Sequence, residues 1–348
     1  MQGKTRVYFT VDVECAEERL SRSGLQPALG YDLRVWGRFS NHDDELGVPL
    51  IMRELENHGL RGTFYVEPFG ARHFGMNGLT SVCRALRARG HDVQLHAHPV
   101  QKEPRFRSLA RPPEDDNLHA RDVAGQAALL DEGIAILAAA GVPRPEIRSF
   151  RAGNFGADNR TWEAMARVGL NLSSNLNVSY LKRNCRISWP RTETGLFDTG
   201  AGVWELPVSN FLDGNKPRHL QIMAVSLREM IDYLRAARKN NIAEVNIFTH
   251  SFEFFYIEDL ERRRARLSWM NLARLRGLCR FLRQHQDEFA VETVGELAQR
   301  LRAGGAPAPA ASPTEMPRGK ALHRYGRMVE QLLKRVESGF KVQSHYYS

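Results

Sequence analysis

Residues 6–14, RVYFTVDVE, open the chain with an apolar run of strand length that ends in two acidic residues. Runs of the same kind follow at Gly62–Val66, Asp92–His96, Ile147–Phe150, Val203–Val208 and Val245–Thr249, with shorter ones near Leu170–Ser173 and Phe289–Val291. Between them, apolar residues recur at helical spacing over Val48–His58, Leu79–Arg89, Ala120–Ala140, Asn159–Val168, Leu227–Asn240, Leu267–Gln284 and Val294–Arg302. Gly59, Gly90 and Gly141 follow three of these helical runs, where a left-handed C-cap residue belongs. Strict alternation of strand and helix implies parallel strands joined by right-handed crossovers. Seven or eight such units are enough to curl into an α/β barrel; a flat doubly wound sheet is the alternative.

The rest of the 348 residues sets limits around that unit. Composition, with 42% hydrophobic and 26% charged residues, is that of an ordinary soluble chain. The barrel domain is expected over residues 1–303, followed by an Ala/Pro-rich linker at 304–318 and a basic amphipathic helix at 319–348. In that helix Leu322, Tyr325, Val329, Leu332, Leu333 and Val336 share one face. Docking on the barrel or on a second subunit is its first expectation, and membrane-surface contact the second. The net charge of +9 is concentrated in Glu261–Arg266 and Arg318–Lys341, both read as solvated helix faces. With no zinc finger and no aromatic-interleaved basic strand, nucleic acid is not the expected partner. Cys15, Cys83, Cys185 and Cys279 form no Cys-x-x-Cys pair and read as reduced thiols. No charged-then-apolar leader precedes Arg6, so a cytoplasmic location is expected.

Four strand ends carry chemistry. Asp12 and Glu14 lie two residues apart and converge at the mouth of a parallel barrel, where such folds place their active sites. His96 and His98 share a face by the same period, and paired imidazoles suit a divalent metal, usually zinc. Two histidines and one carboxylate leave coordination positions open, which is the catalytic pattern. Arg151 can pair with Asp12 and hold it ionised, while Gly153 and Gly156 let the backbone approach a ligand and offer an N–H to an oxyanion. His250, ending a late strand, is placed to protonate a leaving amine.

Asp-x-Glu (12–14), His-x-His-Pro (96–99), Arg-x-Gly-Asn-x-Gly (151–156), Trp-Glu-Leu-Pro (204–207) and Thr-His-Ser (249–251) follow one another along the chain. This ordered set resembles the polysaccharide deacetylase, or NodB-homology, family over roughly residues 5–300. The resemblance implies a distorted (β/α) barrel of about seven strands. It implies that Asp12 is the catalytic base, Arg151 its support and His250 the catalytic acid, and that Glu14, His96 and His98 hold a divalent metal, Zn2+ first. It further implies that the Phe155 amide donates to the oxyanion and that Trp204 and Leu206 wall the acyl methyl. Two departures stand out. Many members space their metal histidines four apart, whereas position 100 is Val, which leaves His119 as a substitute ligand. The usual aspartate that orients the catalytic histidine has no clear match, and Glu205 and Glu253 are the candidates.

The activity implied is hydrolysis of a carbon–nitrogen amide bond: metal-dependent de-N-acetylation of an amino sugar. Expected localisation and basic charge favour a surface-polysaccharide intermediate, nucleotide- or lipid-linked, whose phosphate suits a basic protein. A deformylase or amidohydrolase of a small sugar amide, and a non-catalytic sugar-binding protein of the same fold, are the alternatives.

Overall fold

The computed structural model describes residues 3–21, 24–102, 116–188, 195–305 and 315–337. The middle of the expected linker, the Pro/Asp-rich segment before residue 116 and the tail beyond Glu337 lie outside them. Nine strands make the main sheet: β1 (Thr5–Val13), β2 (Thr63–Val66), β3 (Asp92–Ala97), β4 (Ser149–Ala152), β5 (Leu172–Ser173), β6 (Phe197–Asp198), β7 (Trp204–Glu205), β8 (Glu244–His250) and β9 (Phe289–Val291). Their order is β8-β1-β2-β3-β4-β5-β7-β6, parallel throughout except for the antiparallel pair β6/β7. One edge of β1 runs along β8 from Arg6 to Asp12. Its other edge is divided between β9 at Thr5–Val7 and β2 at Thr10–Val13.

The sheet is an open, strongly curled half-barrel rather than a closed ring. The segment between β7 and β8 bridges the gap with a few hydrogen bonds: Ser209 N–H to Asn246 O (3.1 Å), Phe248 N–H to Leu220 O (3.0 Å) and Ile222 N–H to Phe248 O (3.2 Å). The expected strands and helices are present with ends moved by a few residues. The helices longer than one turn are α1 (Val48–Glu56), α2 (Met76–Ala88), α3 (Val123–Ala139), α4 (Asn159–Arg167), α5 (Leu227–Lys239), α6 (Trp269–Gln284), α7 (Val294–Arg302) and α8 (Ala321–Glu337). Gly59, Gly90 and Gly141 do adopt the left-handed conformation, with φ of 67°, 76° and 96°. Each lets the next N–H turn back to the helix, as in Leu60 to Leu55 O at 3.0 Å.

Period-two alternation divides the residues of β1. Val7, Phe9, Val11 and Val13 join the large apolar core under the helices. Tyr8, Thr10 and Asp12 belong to the other face, inside the curl. At the strands' N-terminal end α7 plugs the barrel, where Val294, Leu297, Ala298 and Leu301 pack under Tyr8, Tyr65, Leu172 and Leu206. A capping box between Thr293 and Glu296 starts that helix, and its Val294 N–H donates to the Thr63 hydroxyl (2.8 Å). One end of the barrel is thus closed, which leaves the C-terminal strand ends as the open mouth.

One region differs from the sequence expectation, and another has none. The basic run Glu261–Arg266 is solvated but lies on a β-hairpin, Phe255–Asp259 with Arg264–Leu267, not on a helix. Residues Tyr31–Trp36 form a single π-helical turn, a rarity that often marks a functional site. No helix among the described residues is long and apolar enough to cross a membrane. The C-terminal α8 docks back on the barrel, and does so through its polar side: Arg327 pairs with Asp213 and Glu229, and Glu330 accepts from Arg274 (2.7 Å).

Candidate active site

Strand register decides which side chains meet. Asp12 lies opposite His250, and His96 opposite Arg151. Asp12 and Arg151 are both fully buried, and Arg151 Nη1 donates to Asp12 Oδ1 at 2.7 Å. The second terminal nitrogen, Nη2, donates to the hydroxyls of Thr10 (3.0 Å) and Ser174 (2.9 Å), and the group lies 4.3 Å above the centre of the Tyr65 ring. The guanidinium is fixed on several sides, so Asp12 is fixed with it. Asp12 Oδ2 is left facing His250 Nε2 across 4.0 Å.

The second group is Glu14, His96 and His98, whose ligand atoms lie within 4.8 Å of one another. His96 Nδ1 donates to the carbonyl of Arg151 (2.8 Å), which can only accept, so Nε2 is the atom turned to Glu14 (3.3 Å). His98 is arranged the same way: Nδ1 donates to Asp116 Oδ2 (2.8 Å) and Nε2 meets Glu14 Oε2 (2.7 Å). Asp116 is itself held by the Val100 N–H (3.1 Å) and the Asn154 amide (2.7 Å). Occupied Nδ1 atoms and converging Nε2 atoms are the outer-shell arrangement that orients metal-binding imidazoles. The donor set thus fits a divalent cation.

The charges of this group compensate one another. Burial alone would push the Glu14 carboxyl up, but the neighbouring His98, the His96 hydrogen bond and Arg34 bring it well below the ordinary value. Burial would likewise lower His98, yet Asp116 and Glu14 on either side raise it well above an ordinary histidine. Arg34, from the π-helical turn, donates Nη2 to Glu14 Oε1 (3.2 Å) and stacks its guanidinium 3.4 Å from the Phe252 ring centre. A neighbouring carboxyl, Glu67, gives both oxygens to the Phe69 (2.9 Å) and Gly70 (2.7 Å) N–H groups. Burial drives its pKa up to about 8 despite those bonds.

His250 completes the mouth. Its Nδ1 donates to Glu253 Oε1 at 2.6 Å, and Glu253 is buried and also accepts from Thr249 and Gln221. A carboxylate only accepts, so Nε2 is the position from which a proton can leave toward the site. Burial would lower the His250 pKa; the Glu253 hydrogen bond and charge, with Asp12, outweigh it and raise the group.

The structure therefore brings together Asp12, Glu14, His96, His98, Arg151 and His250. It resolves the two open positions of the sequence. Glu253, not Glu205, orients His250, since both Glu205 oxygens are taken by Trp162, Ser173 and the N–H groups of Asn175 and Leu176. His119 is buried away from the metal-ligand group, and the carboxylate of Asp116 supports His98 instead. Trp204 and Leu206 pack into the interior cluster with Tyr8, Tyr65 and α7. The aromatic rings beside His250 are Phe248 and Phe252, at 5.9 and 5.1 Å. Phe155 stands against Phe248 (5.5 Å) and Tyr180 (5.4 Å). It follows Asn154, and both have φ near +55°, an uncommon conformation for non-glycine residues and a cost tolerated at functional turns. The close approach expected at Gly153 is to His98: a Cβ there would stand 2.5 Å from the imidazole.

No protein-family model matches the chain, and no curated protein does. Solved structures do. One from Mycobacterium smegmatis, provisionally named a polysaccharide deacetylase, aligns over 91% of this chain and 96% of its own with 18% identity and a TM-score of 0.50. This chain shares its fold. A Parabacteroides distasonis protein, provisionally named a glycoside hydrolase/deacetylase, aligns over 87% of this chain and 72% of its own (9% identity, TM-score 0.50). The 4-alpha-glucanotransferase of Thermococcus litoralis reaches a TM-score of 0.51 at 10% identity over 86% of this chain, which spans 40% of that enzyme.

Proposed function

We propose that this chain is a metal-dependent hydrolase that removes an N-acyl group, acetyl first, from an amino sugar. The observation that carries the proposal is the position of Asp12 and His250 on facing sides of one opening, with the Glu14–His96–His98 group beside them. A divalent cation held by Glu14, His96 and His98, zinc by the preference of such a donor set, would supply carbonyl polarisation and a more acidic bound water. Asp12, positioned by Arg151, takes one proton from the attacking water. The Phe155 N–H is assigned to the developing oxyanion. His250 Nε2 gives its proton to the departing sugar nitrogen, and Glu253 supports the charged imidazole beforehand.

Glycoside cleavage by a carboxyl pair is disfavoured by the same contacts. Such chemistry needs two free carboxyl groups facing the bond. Here Glu14 is tied to His96, His98 and Arg34, and Glu67 to two backbone amides. The substrate proposed is an amino sugar of a surface polysaccharide or its nucleotide- or lipid-linked precursor, with the net charge of +9 favouring a phosphate-bearing molecule.

The test is acetate release by the zinc-loaded protein from N-acetylglucosamine oligomers and from a nucleotide-linked N-acetyl sugar. Release above the metal-free control is expected. Formate release from N-formyl sugars alone would move the assignment to a deformylase. Sugar binding without any hydrolysis would leave a binding protein.

Substitution Glu253→Gln tests the acid. His250 is raised in the folded protein, so it keeps its proton to higher pH than a free imidazole. Removing the Glu253 charge lowers it, and the alkaline limb of kcat/KM is expected to move to lower pH while the acid limb stays in place. A pH–rate profile measures this; an unmoved alkaline limb would take the acid role from His250.

A further inference from the structure

The C-terminal helix α8 is docked with its polarity reversed. His323, Arg327, Glu330 and Lys334, spaced four, three and four apart, form the stripe that meets the barrel. His323 stands 2.6 Å from Asp232 and Lys334 3.4 Å from Asn271, beside the Arg327 and Glu330 ion pairs. The opposite stripe is apolar and open. Of the nine large apolar side chains exposed among the described residues, seven sit on α8, each more than half exposed. A helix held by buried charges, with its apolar face to solvent, needs something to cover that face.

What covers it follows from spacing, area and charge. Leu322, Tyr325, Val329, Leu332 and Val336 are separated by three, four, three and four residues, the a/d repeat of a helix that pairs with another helix. Met328 and Leu333 flank that seam and widen it. Seven side chains at this exposure offer roughly 700 Å² per chain, near the ~800 Å² that each partner gives to a standard interface. An interfacial membrane helix keeps its cations free for lipid headgroups. Here Lys320, Arg324 and Arg327 pair instead with Asp232, Asp213 and Glu229 of the barrel.

We infer that α8 is a self-association surface and that its occupant is the α8 of a second copy of this chain. A closed two-fold pair uses the same patch on both copies. Val at 329 and 336 with Leu at 332 is the β-branched-a, Leu-d choice of a parallel two-stranded pair, in which each a residue meets its own counterpart, so Val329, at the midpoint of Ala321–Glu337, faces Val329 of the second copy.

Sedimentation equilibrium of the full chain at micromolar concentration is expected to give twice 39.5 kDa. Val329→Glu with Leu332→Glu is expected to give the mass of one chain with unchanged circular dichroism. Val329→Cys, which needs no disruption of the helix, is expected to form a disulfide-linked dimer on mild oxidation, since the four native cysteines are buried. A single-chain mass for the wild type, a dimer that survives the double substitution, or a Val329→Cys protein that does not cross-link would each overturn the inference. So would wild type that stays monomeric and cosediments with phosphatidylglycerol vesicles, which would assign the face to lipid.

Discussion

Asp12→Asn is expected to lower acyl-release turnover by about 10³-fold while one divalent ion per chain remains bound. The amide keeps an oxygen in place of Oδ1, so Arg151 Nη1 retains its acceptor at 2.7 Å. It loses the basicity of Oδ2, the atom that faces His250 across the opening. None of the three metal-ligand side chains is Asp12, which is why metal content and turnover separate in this variant. The substitution also leaves Arg151 without a counter-charge in a fully buried position, with only the Thr10 and Ser174 hydroxyls as further partners. Breaking a buried pair by removing one charge costs ~3–5 kcal/mol, so thermal melting belongs beside the kinetics to show that the variant is folded at the assay temperature. Turnover near wild type would place the base elsewhere. Loss of metal together with turnover would make Asp12 a structural support of the cluster rather than the base.

Much of this mouth is legible in the sequence because parallel strands write their geometry locally. Asp12 with Glu14, and His96 with His98, are pairs whose convergence follows from a period of two. Arg151 and His250 end strands that register beside them. The supporting residues are hidden for the opposite reason: their roles come from tertiary placement. Asp116 follows a Pro/Asp-rich stretch of sequence with no periodicity, yet it reaches His98. Arg34 belongs to a π-helical turn, which has no pattern of its own in the sequence. Glu253 lies three residues past His250 in a turn, and only the fold distinguishes it from Glu205. In the motif at 204–207, Trp204 and Leu206 join the cluster that includes the α7 plug, and Glu205 ties β7 to α4, to β5 and to the loop after β5 through four hydrogen bonds.

The supporting groups also change what the ligands can do. Each histidine has its Nδ1 occupied by an acceptor that cannot donate, so the ring is fixed in orientation before any cation arrives. Gly153 permits the His98 ring to lie against the backbone, and Asn154, in its left-handed conformation, ties that turn to Asp116. A rigid cluster of this kind has little to reorganise on binding, which favours a preformed site over one assembled by substrate.

The largest effect is expected from removing the two imidazoles together. His96→Ala with His98→Ala should reduce bound zinc from about one ion per chain to none and bring acetate release to the level of the metal-free protein, because one carboxylate does not make a catalytic zinc site. Asp116→Asn separates support from ligation: it keeps both imidazoles and an oxygen acceptor near His98 Nδ1 but removes the charge, and should weaken zinc affinity by about 10–100-fold without abolishing binding. Competitive chelator titration followed by elemental analysis measures both. The graded order, wild type above Asp116→Asn above the double variant, is required if Glu14, His96 and His98 are the ligands and Asp116 their support. Full zinc occupancy in the double variant would place the ion on other residues and remove the basis for assigning hydrolysis to this mouth.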